Sequence, residues 1–296
     1  LGVDKDERID SLREMTEAVH REGGRIMMQL AHGGLKADPQ LTNTTPVGPS
    51  TGEGLVKSAG KEMTTADIHQ VVMSFGQAAH RAKEAGFDGV QIHAAHGYLL
   101  SQFLSPAFNQ RSDEYGDTVE NRVRIILEVL QNIRQVVGRN YPILIKVNSE
   151  DFLNNGLSVE DFLEAGGILE TAGFDAIEVS GGTTLSGRLV PFRKEIIFDR
   201  DQAYFRKASR ALRKMCNIPV ILVGGMRSYL LAERLVDEGV MDYIAMCRPF
   251  IREPMLIKRW QSGDLRKATC ISCNGCLAPA RSGQGILCVQ DTQCKS

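Results

Sequence analysis

The sequence predicts an α/β protein built on parallel strands and wound as a (β/α) barrel. Three observations carry that prediction. Amphipathic helical segments alternate strictly with short apolar strands from residue 6 to residue 247. The strands read as apolar on both faces, as strands covered by helices do. Polar residues then collect directly after the strands, at Gln29 and His32, His93 and His96, Lys146 and Asn148, Ser180, Gly224 and Gly225, and Arg248. A barrel assembles its site from the carboxyl ends of its strands, so this pattern favours a barrel over a doubly wound sheet. The absence of a G-x-G-x-x-G motif after the first strand points the same way.

In chain order, residues 6–21 form an amphipathic helix with Ile9, Leu12 and Val19 on one face, stopped by Gly23 and Gly24 before a strand at 25–30. A helix at 67–84, opened by a cap at Thr64 and Asp67, ends in Ala85-Gly86-Phe87-Asp88 before a strand at 89–93. The helix at 118–137 leads past Pro142 to a strand at 143–148. The helix at 158–171 ends in Ala172-Gly173-Phe174-Asp175 before a strand at 176–180. The last two pairs are helix 201–215 with strand 220–224 and helix 228–237 with strand 243–247. The repeated Ala-Gly-Phe-Asp junction is an internal echo. Six strands are evident, whereas a barrel needs eight. Two long connections stand out: 36–63, polar and expected to be a lid or a disordered excursion, and 181–200, a rim loop with Arg188, Arg193 and Lys194.

The totals exclude several classes. At 296 residues, 43% hydrophobic and 24% charged, the chain has the composition of an ordinary globular protein. A net charge of -1 offers no basic face to nucleic acid or a membrane surface. No apolar run approaches membrane-spanning length. Seven cysteines, an odd number crowded toward the C-terminus, suit a reducing cytoplasm better than a disulfide scaffold.

Chemistry-bearing residues cluster in three places. His93, His96 and Tyr98 fall within six residues and supply two imidazoles and a phenol, the equipment to polarise a carbonyl and protonate its neighbour. By itself H-x-x-H reads as a solvated strand end. Gly224-Gly225-Met226 closes a strand and opens a helix, where backbone N–H groups can approach an anion, and Arg248 after the next strand adds a cation. Cys270, Cys273, Cys276 and Cys288 have the look of a metal or cluster site, with iron–sulfur, zinc and free thiols all open. Lys146, facing inward from a buried strand, needs an anionic partner, for which Glu178 and a bound anion are both candidates.

The segments MQLAHGG (28–34), HAAHGYLLSQFLSP (93–106), NQRSDEYG (109–116), ENR (120–122), VGGM (223–226) and Arg248 together carry a resemblance over nearly the whole chain. The sequence resembles the old yellow enzyme family of FMN-dependent NADH:flavin oxidoreductases and ene-reductases, in its 2,4-dienoyl-CoA reductase-like branch. The resemblance implies a TIM (β/α)8 barrel with FMN across the strand ends and NADH or NADPH as reductant. Gln29 would meet the flavin pyrimidine edge and Lys146 its N1 and O2, with Gly224, Gly225, Met226 and Arg248 receiving the phosphate. His93 and His96 would bind the substrate carbonyl, and Tyr98 would protonate the alpha carbon while flavin N5 gives hydride to the beta carbon of an activated alkene. It also implies that two barrel strands precede residue 6, so that a barrel domain over 1–268 lacks its N-terminal strands and a cysteine-rich tail follows over 269–296. Larger relatives carry a [4Fe–4S] cluster at such cysteines with three residues between the second and third; here there are two, Asn274 and Gly275.

The expected partner is a small-molecule substrate, with assembly into a homo-oligomer left open. Two other functions compete: a phosphate-binding barrel lyase or isomerase using Lys146 for a Schiff base, and a catalytically silent truncated barrel.

Overall fold

The computed structural model describes residues 2–56 and 60–290. Six strands, β1 (Met27–Leu30), β2 (Gly89–Ala94), β3 (Ile143–Asn148), β4 (Ala176–Ser180), β5 (Val220–Leu222) and β6 (Tyr243–Ile244), form one parallel sheet whose spatial order is the chain order. A doubly wound sheet reverses direction at a switch point. This one never does, and a sheet wound in one direction is that of a barrel. The long helices between the strands are α1 (Ile9–Arg21), α2 (Thr65–Glu84), α3 (Val119–Val137), α4 (Val159–Ala172), α5 (Arg206–Met215) and α6 (Tyr229–Asp237). Among the described residues β1 pairs only with β2 and β6 only with β5, leaving two edges between which an eight-stranded barrel places two more strands. No helix among the described residues is long and apolar enough to cross a membrane.

The strands are not apolar on both faces, as the sequence suggested. Val90, Ile92, Ile143, Ile145, Val147, Ile177, Val179, Val220 and Leu222 are each 0% exposed. Burial of such a side chain is worth roughly 1.5–3 kcal/mol. The alternate positions carry Gln29, Gln91, His93, Lys146 and Glu178, brought side by side by the pairings Gln29 with Gln91, His93 with Lys146 and Lys146 with Glu178. The second face is thus a polar interior.

The Ala-Gly-Phe-Asp echo has a mechanical meaning. Asp88 Oδ2 accepts from the Ile26 amide at 2.8 Å, and Asp175 Oδ2 from the Ile143 amide at 2.7 Å. Asp242, in a junction without the Ala-Gly-Phe signature, does the same for Val220 at 2.8 Å. The amides of the three aspartates donate to the carbonyls of the same residues, and Arg25, Arg134 and Arg213 pair with the carboxylates. Each aspartate therefore brackets the start of the preceding strand and fixes its register.

Helix α2 opens with the expected reciprocal cap, Thr64 Oγ1 accepting from the Asp67 amide and Asp67 from the Thr64 amide. Three boundaries differ from expectation. Strand β5 stops at Leu222, before Gly224 (φ 137) and Gly225 (φ 70) leave extended geometry, and β6 stops at Ile244. Helix α5 starts at Arg206, because Ala203 adopts a left-handed backbone (φ 52). The connection at 36–63 is ordered where it is described rather than a loose excursion: Val47–Gly48 pairs with Lys61–Glu62. Arg111 also donates to the Pro49 and Met63 carbonyls at 3.1 and 2.7 Å.

Candidate active site

His93 lies near the end of β2, and the chain then turns through His96 (φ 64) and Gly97 (φ 75), two successive left-handed residues. Asn148, at the end of β3, holds that turn by accepting the His96 amide on Oδ1 at 3.0 Å, while its Nδ2 donates to Asp151 and to the Gly182 carbonyl. Lys36 donates to the His96 carbonyl at 3.0 Å, and its Nζ lies 4.3 Å from the centre of the Tyr98 ring. The short helix Leu99–Leu104 then begins, and Gln102 ties it back: Nε2 donates to the Gly97 carbonyl and Oε1 accepts the Leu35 amide. A Cβ on Gly34 would lie 2.5 Å from Gln102 Oε1, so only glycine fits beneath this amide. The MQLAHGG and HAAHGYLLSQ segments are thereby two halves of one lock.

The turn brings three rings together. The His93 and His96 rings lie 5.0 Å apart edge to face, and the His93 and Tyr98 rings 5.1 Å apart. His96 Nε2 is 2.7 Å from Ser180 Oγ at the end of β4. His93 is buried, and its Nδ1 has no hydrogen-bond partner among the described residues. Burial, then the charges of Lys146 and Lys36, pull the His93 imidazolium down to about 3. Burial, His93 and the same two lysines hold His96 well below the usual imidazole range. Both rings are therefore neutral at pH 7, each with one N–H and one lone pair. A pair of neutral donors suits a carbonyl oxygen that gains negative charge during reaction.

Below the rings runs a chain of polar side chains. Gln29 Nε2 donates to Gln91 Oε1 at 2.6 Å, Gln91 Nε2 to Glu178 Oε2 at 2.8 Å, and Lys146 Nζ lies 2.9 Å from Glu178 Oε1. Lys146 Nζ is thus committed to a carboxylate, which weighs against the lyase or isomerase alternative that needs this amine free for a Schiff base.

At the far end of the sheet Gly224 and Gly225 leave β5, with the Tyr204 ring against them; a Cβ on Gly225 would come within 2.9 Å of that ring. Met226 is buried. The amides of Arg227 and Ser228, at the start of α6, are taken by Gln202 Oε1 at 2.7 and 3.0 Å, so the helix N-terminus is partly capped from within. Arg248 Nη1 donates to the Arg193 carbonyl at 2.9 Å and to Asn274 Oδ1 at 2.6 Å, and no other N–H of this guanidinium has an acceptor among the described residues.

The four cysteines singled out in the sequence come near one another. Cys270, Cys273, Cys276 and Cys288 line one small cavity with Arg248 and Arg252. Among the described residues, however, no three His, Cys, Asp or Glu side chains are arranged to hold a metal ion. The loop passes through left-handed backbone at Ser272 and Asn274, and Cys273 is exposed while the other three are partly buried. Cys294 lies outside the described residues.

Asn148 and Ser180 were legible only as polar residues at strand ends, and nothing in the local sequence assigned them to His96. Lys36, Gln91 and Asn274 reach the site from positions whose spacing carries no signal.

Comparison with known proteins agrees with this architecture. The sequence profile of the NADH:flavin oxidoreductase / NADH oxidase family matches residues 1–266. An NADH oxidase of Thermoanaerobacter brockii is 36% identical over 285 residues, covering 94% of this chain and 42% of the relative. An NADPH dehydrogenase of Bacillus subtilis (strain 168) is 32% identical over 258 residues, covering 87% of this chain and 72% of the relative. Among solved structures, a 2-naphthoyl-CoA reductase complex superposes with a TM-score of 0.85 at 27% identity, over 93% of this chain and 44% of the other. Morphinone reductase bound to tetrahydroNAD gives 0.72 at 28% identity, over 89% of this chain and 72% of the other. The chain thus spans less than half of the NADH oxidase and of the naphthoyl-CoA reductase. With a profile match over nearly its full length and these two halves of one lock at the strand ends, the chain belongs to the NADH:flavin oxidoreductase / NADH oxidase family.

Proposed function

We propose that this chain forms an FMN-dependent oxidoreductase site that reduces an activated alkene, an α,β-unsaturated carbonyl, at the expense of NADH or NADPH. The observation that carries the reading is the pair of neutral imidazoles beside the phenol of Tyr98: buried His93, whose Nδ1 has no partner among the described residues, and half-buried His96 on Ser180. The residues present fit FMN. Gln29 and Lys146 would face the pyrimidine edge and its N1 and O2, and the backbone of Gly224, Gly225 and Met226 with the uncommitted N–H groups of Arg248 would take the phosphate. When bound, FMN would supply the hydride-transfer chemistry between NADH or NADPH and the substrate.

The protein does the rest. His93 and His96 donate to the substrate carbonyl oxygen and stabilise the charge that gathers there as the beta carbon is reduced. Tyr98 Oη holds the proton that the alpha carbon receives. Lys36, beside the Tyr98 ring and bonded to the His96 carbonyl, fixes both groups on one turn. The two acyl-CoA and morphinone reductases among the similar structures support a conjugated small-molecule substrate. The cysteine tail takes no part in this reading, and the cytoplasm is the compartment it implies.

The test begins with the visible spectrum of the purified chain, followed by anaerobic reduction with NADH or NADPH and reoxidation by 2-cyclohexenone. His93→Ala with His96→Ala should keep the flavin and lose about 100-fold in enone turnover, the scale of removed oxyanion donors. Tyr98→Phe should slow enone reduction more than reduction by the nicotinamide. Normal enone turnover by the double variant would overturn the assignment, as would a protein that binds no FMN when it is added.

A further inference from the structure

The phosphate-end arginine does not hold its own position. We infer that Asn274, in the loop between Cys273 and Cys276, is the residue that positions Arg248 for the flavin phosphate. The inference rests on the reading of Arg248 given above and adds to it a residue outside the barrel strands.

Arg248 follows the short strand β6 and has a long, flexible side chain. A guanidinium free to sample its rotamers loses that freedom when it meets an anion, and the loss weakens binding. Here the restriction is already in place. Arg248 Nη1 is clamped between two acceptors, Asn274 Oδ1 at 2.6 Å and the Arg193 carbonyl at 2.9 Å. Asn274 in turn is locked: its Nδ2 donates to the Phe192 carbonyl at 2.7 Å, so the carboxamide cannot flip without breaking both bonds. The backbone of Asn274 is left-handed (φ 62), a conformation that asparagine tolerates better than most residues. One side chain therefore joins three segments: the short helix that Arg248 opens after β6, the rim loop at Phe192 and Arg193, and the cysteine loop. The rim loop is anchored there too, because the Arg193 guanidinium lies 4.3 Å from the Tyr204 ring, which packs on Gly225. Only Nη1 of Arg248 is used by the clamp, so the remaining edge of the fork is presented in a fixed direction.

The test separates the phosphate from the ring system. Flavin-free protein is titrated with FMN and with riboflavin, which lacks the phosphate, and binding is followed by quenching of flavin fluorescence. The substitution is Asn274→Gly, which removes the side chain while leaving the left-handed backbone unstrained. The expected result is FMN affinity about tenfold weaker, the scale of one charge-assisted hydrogen bond, with riboflavin affinity changed by less than about twofold. Arg248→Ala is the control and should abolish the preference for FMN over riboflavin. If Arg248→Ala keeps that preference, the phosphate assignment itself is wrong. If Arg248→Ala loses it and Asn274→Gly keeps it, Asn274 does not position Arg248. Equal weakening of both flavins by Asn274→Gly would also overturn the proposal, because it would make Asn274 a support of the whole site.

Discussion

His96 and Ser180 meet across the mouth of the sheet: the imidazole Nε2 at the end of β2 lies 2.7 Å from the hydroxyl at the end of β4, with β3 between them. The contact fixes the orientation of a ring whose backbone already sits in a left-handed turn held by Asn148. Ser180→Ala should therefore lower kcat/KM for an enone by about tenfold, the value of one lost positioning hydrogen bond. FMN affinity should stay unchanged. Steady-state kinetics beside flavin titration checks this, and a parallel loss of flavin would assign Ser180 to the cofactor instead.

The carboxylate of Glu178 offsets the Lys146 charge at 2.9 Å. Glu178→Gln removes that negative charge and leaves the lysine field to act on a reduced, anionic flavin. The flavin midpoint potential should rise by on the order of 30 mV, about 1.4 kcal/mol for a two-electron couple. A spectroelectrochemical titration measures it directly. A lower potential in the variant would mean that Lys146 does not face the isoalloxazine.

Acid should destabilise the fold through the histidine pair. The unfolded imidazole takes up a proton near its ordinary value of 6.5, while burial holds native His93 down to about 3. Between these values the unfolded state binds more protons, so stability is complete above 6.5 and falls as the pH drops toward 3. His93 alone should remove about 2 kcal/mol between pH 6.5 and pH 5, and His96, shifted the same way, adds to the loss. Denaturant midpoints of the wild type and His93→Gln over this range test it, with a visibly flatter profile expected for the variant. Identical slopes would show that His93 titrates normally.

Asp175 accepts from the Ile143 amide and from Arg134. Asp175→Ala leaves the first amide of β3 without its acceptor and should cost about 1–3 kcal/mol in urea unfolding, with the m-value unchanged. A loss below about 0.5 kcal/mol would remove the junction aspartates from the register mechanism, since that is the range of an ordinary surface change.

Much of the architecture was written in local pattern. Alternating helices and strands, the cap at Thr64, and the Ala-Gly-Phe-Asp echo all depend on neighbours a few residues apart. The third junction, at Asp242, escaped the pattern because only the aspartate is needed for the hydrogen bond, and the residues before it differ. Reading the strands as apolar on both faces failed for a related reason. Gln29, Gln91, His93, Lys146 and Glu178 are single polar residues on short strands, and their common face emerges only when register stacks them.

Sequence alone thus determined the winding, the presence of His93, His96 and Tyr98 after a strand, and the glycine pair with Arg248 at the other end. These follow from period and spacing, which are properties of the unfolded chain as much as of the folded one. Tertiary structure decided what each residue is paired with: Ser180 with His96, Glu178 with Lys146, and Asn274 with Arg248. It also decided that the imidazoles are neutral. Charge state and hydrogen-bond partner depend on burial and on contacts between residues 26 to 84 positions apart, and no local pattern encodes them.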